Sequence, residues 1–141
     1  MLPPIDTIIE NFELIDDWEQ RYGYIIELGR ALEALPEDRH TDENRVHGCE
    51  SQVWLDFGLD ESGGEPRLHL RGDSDSSIVR GFVALMIALY NGKTPLEASR
   101  TDGLDLFRQL DFGAHVTAKR SNGVRAMAER IRRDATRFVA A

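Results

Sequence analysis

The sequence predicts an α+β fold in which helices pack on one face of a small antiparallel sheet of about three strands. Two neighbouring stretches alternate apolar and polar residues as strands do, and longer stretches on both sides carry apolar residues at helical spacing. No repeat of strand and helix indicates a parallel sheet. The 141 residues fit a single domain, residues 1–141, because a domain usually holds about 100–200 residues.

Two amphipathic helices are expected before the sheet. Asp6 is the candidate N-cap of the first helix, and Asp16 is the candidate N-cap of the second. Glu19, three residues after Asp16, completes a capping-box pattern. An aromatic and aliphatic stripe follows and stops before Pro36, so we expect the second helix to pack into the core.

A β-hairpin is expected in the middle of the chain. The stretch "QVWLDFGLD" alternates, and the inward positions are Val53, Leu55, Phe57 and Leu59. "ESGGEP" is typical of a turn, and "RLHLR" alternates again. A third strand is predicted around residues 45–47.

Three helices are expected after the hairpin. A cap signal at residues 73–75 precedes a helix that is apolar around most of its circumference, which predicts a buried central helix. A short helix is expected around residues 104–110. A last helix capped by Ser121 or Asn122 is expected to carry Phe138 inward, and five arginines among acidic residues indicate a solvated outer face.

Composition narrows the classes of function. The net charge of −8 and the pI near 5.0 argue against a nucleic-acid-binding surface, which needs cations to neutralise phosphates. A single cysteine excludes an intrachain disulfide and a Cys-rich metal cluster. No apolar run approaches membrane-spanning length, and the N-terminus lacks the basic and apolar regions of a signal peptide. We therefore expect a cytoplasmic protein that binds neither nucleic acid nor membrane.

The single cysteine, Cys49, follows Gly48 in a polar stretch just before the first strand. The residues alone leave four interpretations open. Cys49 is a metal ligand with His40 and His47, the nucleophile of a Cys–His hydrolase, a thiol that relays sulfur, or a loop thiol without a role. A sulfur relay needs one reachable thiol and no cofactor of its own, which this chain satisfies.

Four motifs, in order along nearly the whole chain, carry a resemblance. "NRVHGCESQVWL" resembles the active-site segment of the SufE family, in which a Gly-Cys pair precedes Ser-Gln-Val-Trp. "DDWEQRYGYIIELGRALEALP" is similar to the family's N-terminal helix, and "GDSDSSIVRGFVALMIALYNGKTP" is similar to its central helix. "RSNGVRAM" resembles its C-terminal Arg-Ser-x-Gly-x-x-x-Met pattern.

The resemblance implies a sulfur acceptor in iron–sulfur cluster assembly, with a fold similar to that of the scaffold IscU. Cys49 would take sulfane sulfur from the persulfide of a PLP-dependent cysteine desulfurase, SufS-like or CsdA-like, and stimulate it. The sulfur would pass on to a SufBCD-type scaffold. The chain itself would need no cofactor, because the desulfurase holds the PLP. The resting thiol would lie in an apolar cavity and swing out to meet its partner.

The same resemblance names the site. Cys49 is the persulfide acceptor, and the supporting residues are His47, Gly48, Ser51, Gln52, Trp54, Asp75 and Arg120. Asp75 is equally a helix N-cap, and Arg120 is either an electrostatic helper of the thiol or a member of a surface salt bridge.

Two departures from the family pattern leave the partner's identity open. Glu50 replaces the frequent glutamine after the cysteine, should disfavour the thiolate, and is found in the related CsdE branch. In "VTAKR", residues 116–120, only the arginine of the usual pattern remains. The alternative to a relay is an adaptor that binds a desulfurase without carrying sulfur. We expect a monomer or weak dimer, because no exposed apolar stripe is left over.

Overall fold

The computed structural model describes residues 2–112 and 115–139, which form six helices and one two-stranded sheet. The expected α+β architecture is confirmed. In chain order the elements are α1 (Ile5–Leu14), α2 (Trp18–Arg30), a short 3-10 turn (Glu37–Arg39), β1 (Val53–Asp60), β2 (Arg67–Ser74), α3 (Ser77–Tyr90), α4 (Pro95–Ser99), α5 (Gly103–Gln109) and α6 (Ala118–Thr136).

The sheet is the predicted hairpin. β1 and β2 pair antiparallel from Val53 opposite Ser74 to Asp60 opposite Arg67. The predicted third strand is wrong for the described residues, because the segment before Cys49 makes only one isolated bridge, between Arg45 and Trp54. The chain then turns away at Gly48, so the ladder ends after one position.

The other face of the hairpin is covered by charged side chains. Asp56, on the side opposite Val53 and Leu55, is buried. Its carboxylate accepts hydrogen bonds from the guanidinium groups of Arg39 and Arg71, the latter at 2.6 Å. This ion-paired cluster ties the 3-10 turn to both strands.

Helix α3 is the centre of the core, as its apolar circumference predicts. It packs against α2, α6 and the sheet. The crossing with α2 is very close, since a Cβ built on Gly81 would lie 2.2 Å from the carbonyl oxygen of Ile25. The glycine in the motif of the central helix is therefore a packing requirement.

Two N-terminal caps differ from the sequence prediction. Helix α1 begins after Pro4 without a side-chain cap, and Asp6 lies in its first turn. Helix α2 is capped by Asp17, whose carboxylate accepts a hydrogen bond from the backbone N–H of Glu19. The predicted cap, Asp16, lies one residue too early, because two adjacent aspartates give the same signal.

Two later caps also differ. Ser76, which directly follows the predicted cap region of residues 73–75, caps α3 and accepts from the N–H of Val79. Thr117 caps α6 and accepts from the N–H of Arg120, so Ser121 and Asn122 lie inside the helix. Thr117 sits four residues before the first predicted cap because helical hydrogen bonding already begins at the end of the "VTAKR" segment.

The C-terminal part differs from the sequence prediction in one extra helix, α4, and in the position of Phe138. The short helix α5 confirms the expectation around residues 104–110, whereas the sequence prediction lacks α4, although Thr94 and Glu97 form its capping box. Phe138 does not point inward as expected, since it is 53% exposed. It stacks on Phe57 with ring centroids 5.5 Å apart. None of the helices in the described ranges is long and apolar enough to cross a membrane.

Candidate functional site

Cys49 lies in a loop between the isolated bridge and β1. The loop starts where the backbone N–H of Val46 donates to the carbonyl oxygen of Val53 at 2.9 Å. Gly48 has a φ of +94°, in the left-handed region that favours glycine. The glycine before the cysteine thus allows the turn that directs the chain, and with it Cys49, toward α6.

A small cavity of about 60 Å³ surrounds the thiol. Its apolar lining comes from Val79, Phe82 and Met127, which are buried residues of α3 and α6. Its polar lining comes from the Cys49 loop and from the first turns of α6, which contribute Glu50, Ser51, Lys119, Arg120 and Gly123. The cavity combines an apolar floor with a rim that carries two cations.

The thiol contacts α6 at Gly123. The Sγ atom donates a long hydrogen bond to the carbonyl oxygen of Gly123, at 3.6 Å. A Cβ built on Gly123 would lie 3.4 Å from Sγ. Any side chain larger than alanine at position 123 would therefore compete with the thiol for the cavity.

The surroundings keep the resting thiol protonated. Burial raises the pKa of Cys49 above its ordinary value, and the positive charge of Arg45 lowers it in part. Because the thiolate is the nucleophilic form, this environment disfavours the reactive form of Cys49.

Asp75 joins the base of the cysteine loop to the start of α3. Its carboxylate accepts from the backbone N–H of Gln52 at 3.0 Å, and its own N–H donates to the carbonyl oxygen of Gln52 at 3.3 Å. The cap of α3 is Ser76, so the N-cap interpretation of Asp75 is wrong. Asp75 and Gln52 instead fix the point at which the loop enters β1.

The charged residues of the rim pair selectively. Glu50 lies 3.5 Å from Lys119, and both side chains are exposed. Arg120 lines the cavity and has no carboxylate within 4 Å among the described residues. The Lys119 ammonium group therefore partly offsets the charge of Glu50, while Arg120 remains at the rim of the cavity as a second cation.

These observations can be compared with known proteins. The family model described as "SufE: Fe-S metabolism associated domain" matches residues 6–135. The chain belongs to the SufE family. This confirms the resemblance carried by the four sequence motifs, and it associates the chain with iron–sulfur metabolism.

SufE-like relatives cover nearly the whole chain. An uncharacterized SufE-like protein of Rhizobium meliloti is 44% identical over 131 residues, 93% of this chain and 94% of the relative. One of Rhizobium etli is also 44% identical, over 93% of this chain and 88% of the relative. A solution structure of a hypothetical protein from Thermus thermophilus covers 100% of both chains, with a TM-score of 0.73 and 21% identity. That likeness shows the fold.

Not every residue named by the SufE resemblance lies at the cavity. Ser51 lines it, whereas His47 is exposed and faces a groove formed with Ala126 and Glu129 of α6. The Trp54 ring packs edge-on against His40 and under the guanidinium of Arg45, 5.8 Å from the ring centroid. Trp54 thus supports the loop from the sheet side, away from the thiol.

The metal interpretation of the thiol finds no support in the described part of the chain. Three grouped His, Cys, Asp or Glu side chains suitable for a metal ion do not occur there. His40 instead contacts the carboxylate of Asp73 at 2.8 Å, and this contact raises the pKa of His40, against a smaller effect of burial.

Sequence reasoning missed five residues that line the cavity, namely Val79, Phe82, Lys119, Gly123 and Met127. Val79, Phe82 and Met127 have the pattern of ordinary core positions, and only their approach to Cys49 gives them a place in the site. The sequence does mark Gly123, because it is the glycine of the "RSNGVRAM" motif. A glycine inside a helix costs stability relative to alanine, so its presence indicates a close contact.

Proposed function

We propose that this SufE-family chain is a sulfur acceptor in iron–sulfur cluster assembly, with Cys49 as the residue that carries the sulfur. One observation carries the proposal most directly. The single cysteine lies at a cavity with apolar walls and cations at its rim, on a loop with few attachments. A persulfide carrier needs a thiol that is shielded at rest and reachable when a partner docks.

The reaction is a thiol–disulfide type exchange. The Cys49 thiol loses its proton to solvent, and the thiolate attacks the outer sulfur of a persulfide on the cysteine desulfurase. The sulfur–sulfur bond of that persulfide breaks, and the desulfurase cysteine leaves as a thiolate that is reprotonated. A new sulfur–sulfur bond forms on Cys49, so the transfer needs no external oxidant or reductant.

The attachments of the loop support its movement. In the described part of the chain, residues 47–51 make no backbone hydrogen bonds to the rest of the protein. Two polar contacts hold the loop among the described residues, the long bond from Cys49 to Gly123 and the exposed pair of Glu50 and Lys119, and Cys49 also packs against the core. An exposed pair contributes roughly 0–1 kcal/mol, so the main cost of moving the loop outward is the loss of the apolar packing of Cys49, which a docked partner can replace.

Exposure would also activate the thiol. Leaving the cavity removes the burial that raises the pKa of Cys49, and it brings the thiol past Arg120 at the rim. A cation near a thiol favours the thiolate. The proposal therefore couples docking to activation, with the sulfur donor a SufS-like or CsdA-like desulfurase that supplies the PLP, and a SufBCD-type scaffold as the receiver in the cytoplasm.

A stimulation assay separates this relay from an adaptor that only binds. Alanine release by the desulfurase would be measured with the wild-type chain and with Cys49→Ser, each at saturating concentration. A relay predicts that Cys49→Ser loses the stimulation while its thermal unfolding stays close to wild type. Full stimulation by Cys49→Ser would establish the adaptor and overturn the relay.

A further inference from the structure

Helix α6 carries a charge opposite to that of the rest of the molecule. Residues 118–137 contain seven cationic and two acidic side chains, a net charge of +5. The whole chain carries −8, so the remaining residues carry −13. A strongly positive helix on an acidic protein marks a surface that attracts an acidic partner.

The cations on the solvent face of α6 are largely unpaired. Arg125 and Arg133 are exposed, and in the described ranges neither lies within 4 Å of a carboxylate. Glu129 lies four residues from each of them and is the exposed carboxylate of this face, yet it closes neither ion pair. The face is exposed, as a solvated face should be, and its two arginines remain available to a partner.

The solvent face of α6 adjoins the cysteine loop, since Arg133 lines a groove together with His47. Gly123 contacts the Sγ atom of Cys49, and Arg133 lies ten residues further along the helix, about 15 Å at the helical rise. A standard protein interface covers about 800 Å² on each partner, which corresponds to a radius of about 16 Å. An interface of this size that includes Cys49 extends along α6 as far as Arg133, on the solvent face that also carries Arg125.

We propose that the solvent face of α6, defined by Arg125 and Arg133, docks an acidic surface of the protein that delivers sulfur to Cys49. This inference rests on the proposed function and adds the chemistry of the partner's surface. Guanidinium groups suit this role because they bind carboxylates in a bidentate manner and are weakly hydrated. The acidic remainder of the chain repels a polyanion such as nucleic acid, and this favours a protein partner with a local acidic patch.

Charge reversal with a matched control tests the inference. The double variant Arg125→Glu/Arg133→Glu would be compared with Arg30→Glu/Arg67→Glu, which makes the same change of net charge at exposed positions on α2 and β2. The dissociation constant for a cysteine desulfurase would be measured without cysteine, at low and moderate salt. We expect about tenfold weaker binding for the α6 variant, a flatter salt dependence, and less than about twofold change for the control.

The outcomes are distinct. Equal effects of both double variants, or no effect of the α6 variant, would overturn the docking surface. Self-association of the wild type, seen by sedimentation and abolished only by the α6 variant, would assign this face to a second copy and also overturn the proposal. Arg125→Gln/Arg133→Gln, a milder change, should show a smaller loss in the same direction and guards against misfolding.

The binding readout also separates this inference from the proposed function. If Cys49 never gains sulfur but the α6 variant alone binds more weakly, the docking surface stands and the relay fails. If the relay holds, the α6 variant at saturating concentration still loads Cys49 completely, because its change lies outside the reacting atoms.

Discussion

Gly123 of α6 and Cys49, in the loop before β1, are in direct contact, although they lie 74 positions apart in the chain. The contact sets the resting position of the thiol, because the missing side chain at Gly123 leaves the space that Sγ occupies. The carbonyl oxygen of Gly123 then accepts the thiol hydrogen bond. The contact between these two residues therefore helps to hold the thiol at the cavity.

Filling this space should expose the thiol. Gly123→Val adds carbon atoms beyond the Cβ position, which already lies 3.4 Å from Sγ, and the cavity of about 60 Å³ cannot hold both groups. We expect several-fold faster alkylation of Cys49 by iodoacetamide under native conditions. Gly123→Ala is the matched control, since its Cβ fits at van der Waals contact and alanine favours the helix by up to about 1 kcal/mol. Equal alkylation rates for wild type, alanine and valine variants would contradict the contact.

The pH profile of Cys49 alkylation should lie at higher pH in the folded protein than in the unfolded chain. Burial raises the pKa of the thiol, so the alkylation rate should keep rising at pH values where the unfolded chain has already levelled off. The native state holds this proton more tightly than the unfolded state. The thiol's contribution to stability is therefore complete below its ordinary pKa and is lost as the pH rises through the higher native value.

Arg45 should oppose this shift. Its charge lowers the pKa of Cys49, so Arg45→Gln should move the pH profile of alkylation further upward. Arg30→Gln, which changes an exposed arginine on α2, serves as the control and should leave the profile unchanged. A downward or absent shift for Arg45→Gln would show that Arg45 has no electrostatic influence on the thiol.

The buried carboxylate of Asp56 should be a large contributor to stability. Asp56→Ala leaves the guanidinium groups of Arg39 and Arg71 without their partner, and we expect a loss of roughly 2–4 kcal/mol in the free energy of unfolding. Urea unfolding measures this loss, and Glu61→Ala in the exposed turn should change stability by less than about 0.5 kcal/mol. A loss no larger than that of Glu61→Ala would contradict the buried pair.

The contribution of Asp56 to the free energy of unfolding should depend on pH in the acidic range. Burial alone would raise the pKa of Asp56, but the hydrogen bonds and charges of Arg39 and Arg71 outweigh it and hold that pKa below its usual value. The contribution is thus complete above the ordinary carboxyl pKa and is lost as the pH falls through the lower native value. The difference between wild type and Asp56→Ala should shrink on acidification.

The start of α6 can be tested through its cap. Thr117→Ala removes the side-chain oxygen that accepts from the N–H of Arg120 and should cost about 1 kcal/mol. Asn122→Ala lies inside the helix on the exposed side and should be neutral or slightly stabilising. Thermal unfolding of both variants shows whether α6 is capped by Thr117 or by the predicted Asn122. A larger loss for Asn122→Ala would restore the cap predicted from sequence.

The hairpin and the central helix are well predicted from the sequence because both have strong periodic patterns. Val53 and Leu55 alternate with Gln52, Trp54 and Asp56, and the apolar circumference of α3 leaves few other placements. Cap positions are less certain, because Asp16 and Asp17 are chemically equal candidates for α2. Thr117 competes with Ser121 and Asn122 in the same way, and the choice depends on where the chain enters the helix.

The cavity could not be predicted from local patterns. Phe82 and Met127 carry the signal of core residues, and their contact with the cysteine loop arises only when α3 and α6 pack together. The family motif points to Asp75, but its hydrogen bond to Gln52 could not be predicted, because an aspartate just before a helix is typical of a cap. Motifs locate Cys49 and Gly123 in the sequence, but three-dimensional packing brings them together.

The most direct test of the account is the intact mass of the chain after incubation with a cysteine desulfurase and cysteine. The account predicts a gain of one sulfur atom, about 32 Da, that a reductant reverses and that Cys49→Ser does not show. The chain contains no other cysteine, so the assignment of the added sulfur is unambiguous. An unchanged mass with SufS-like and CsdA-like desulfurases that do load a SufE control would contradict sulfur acceptance by Cys49.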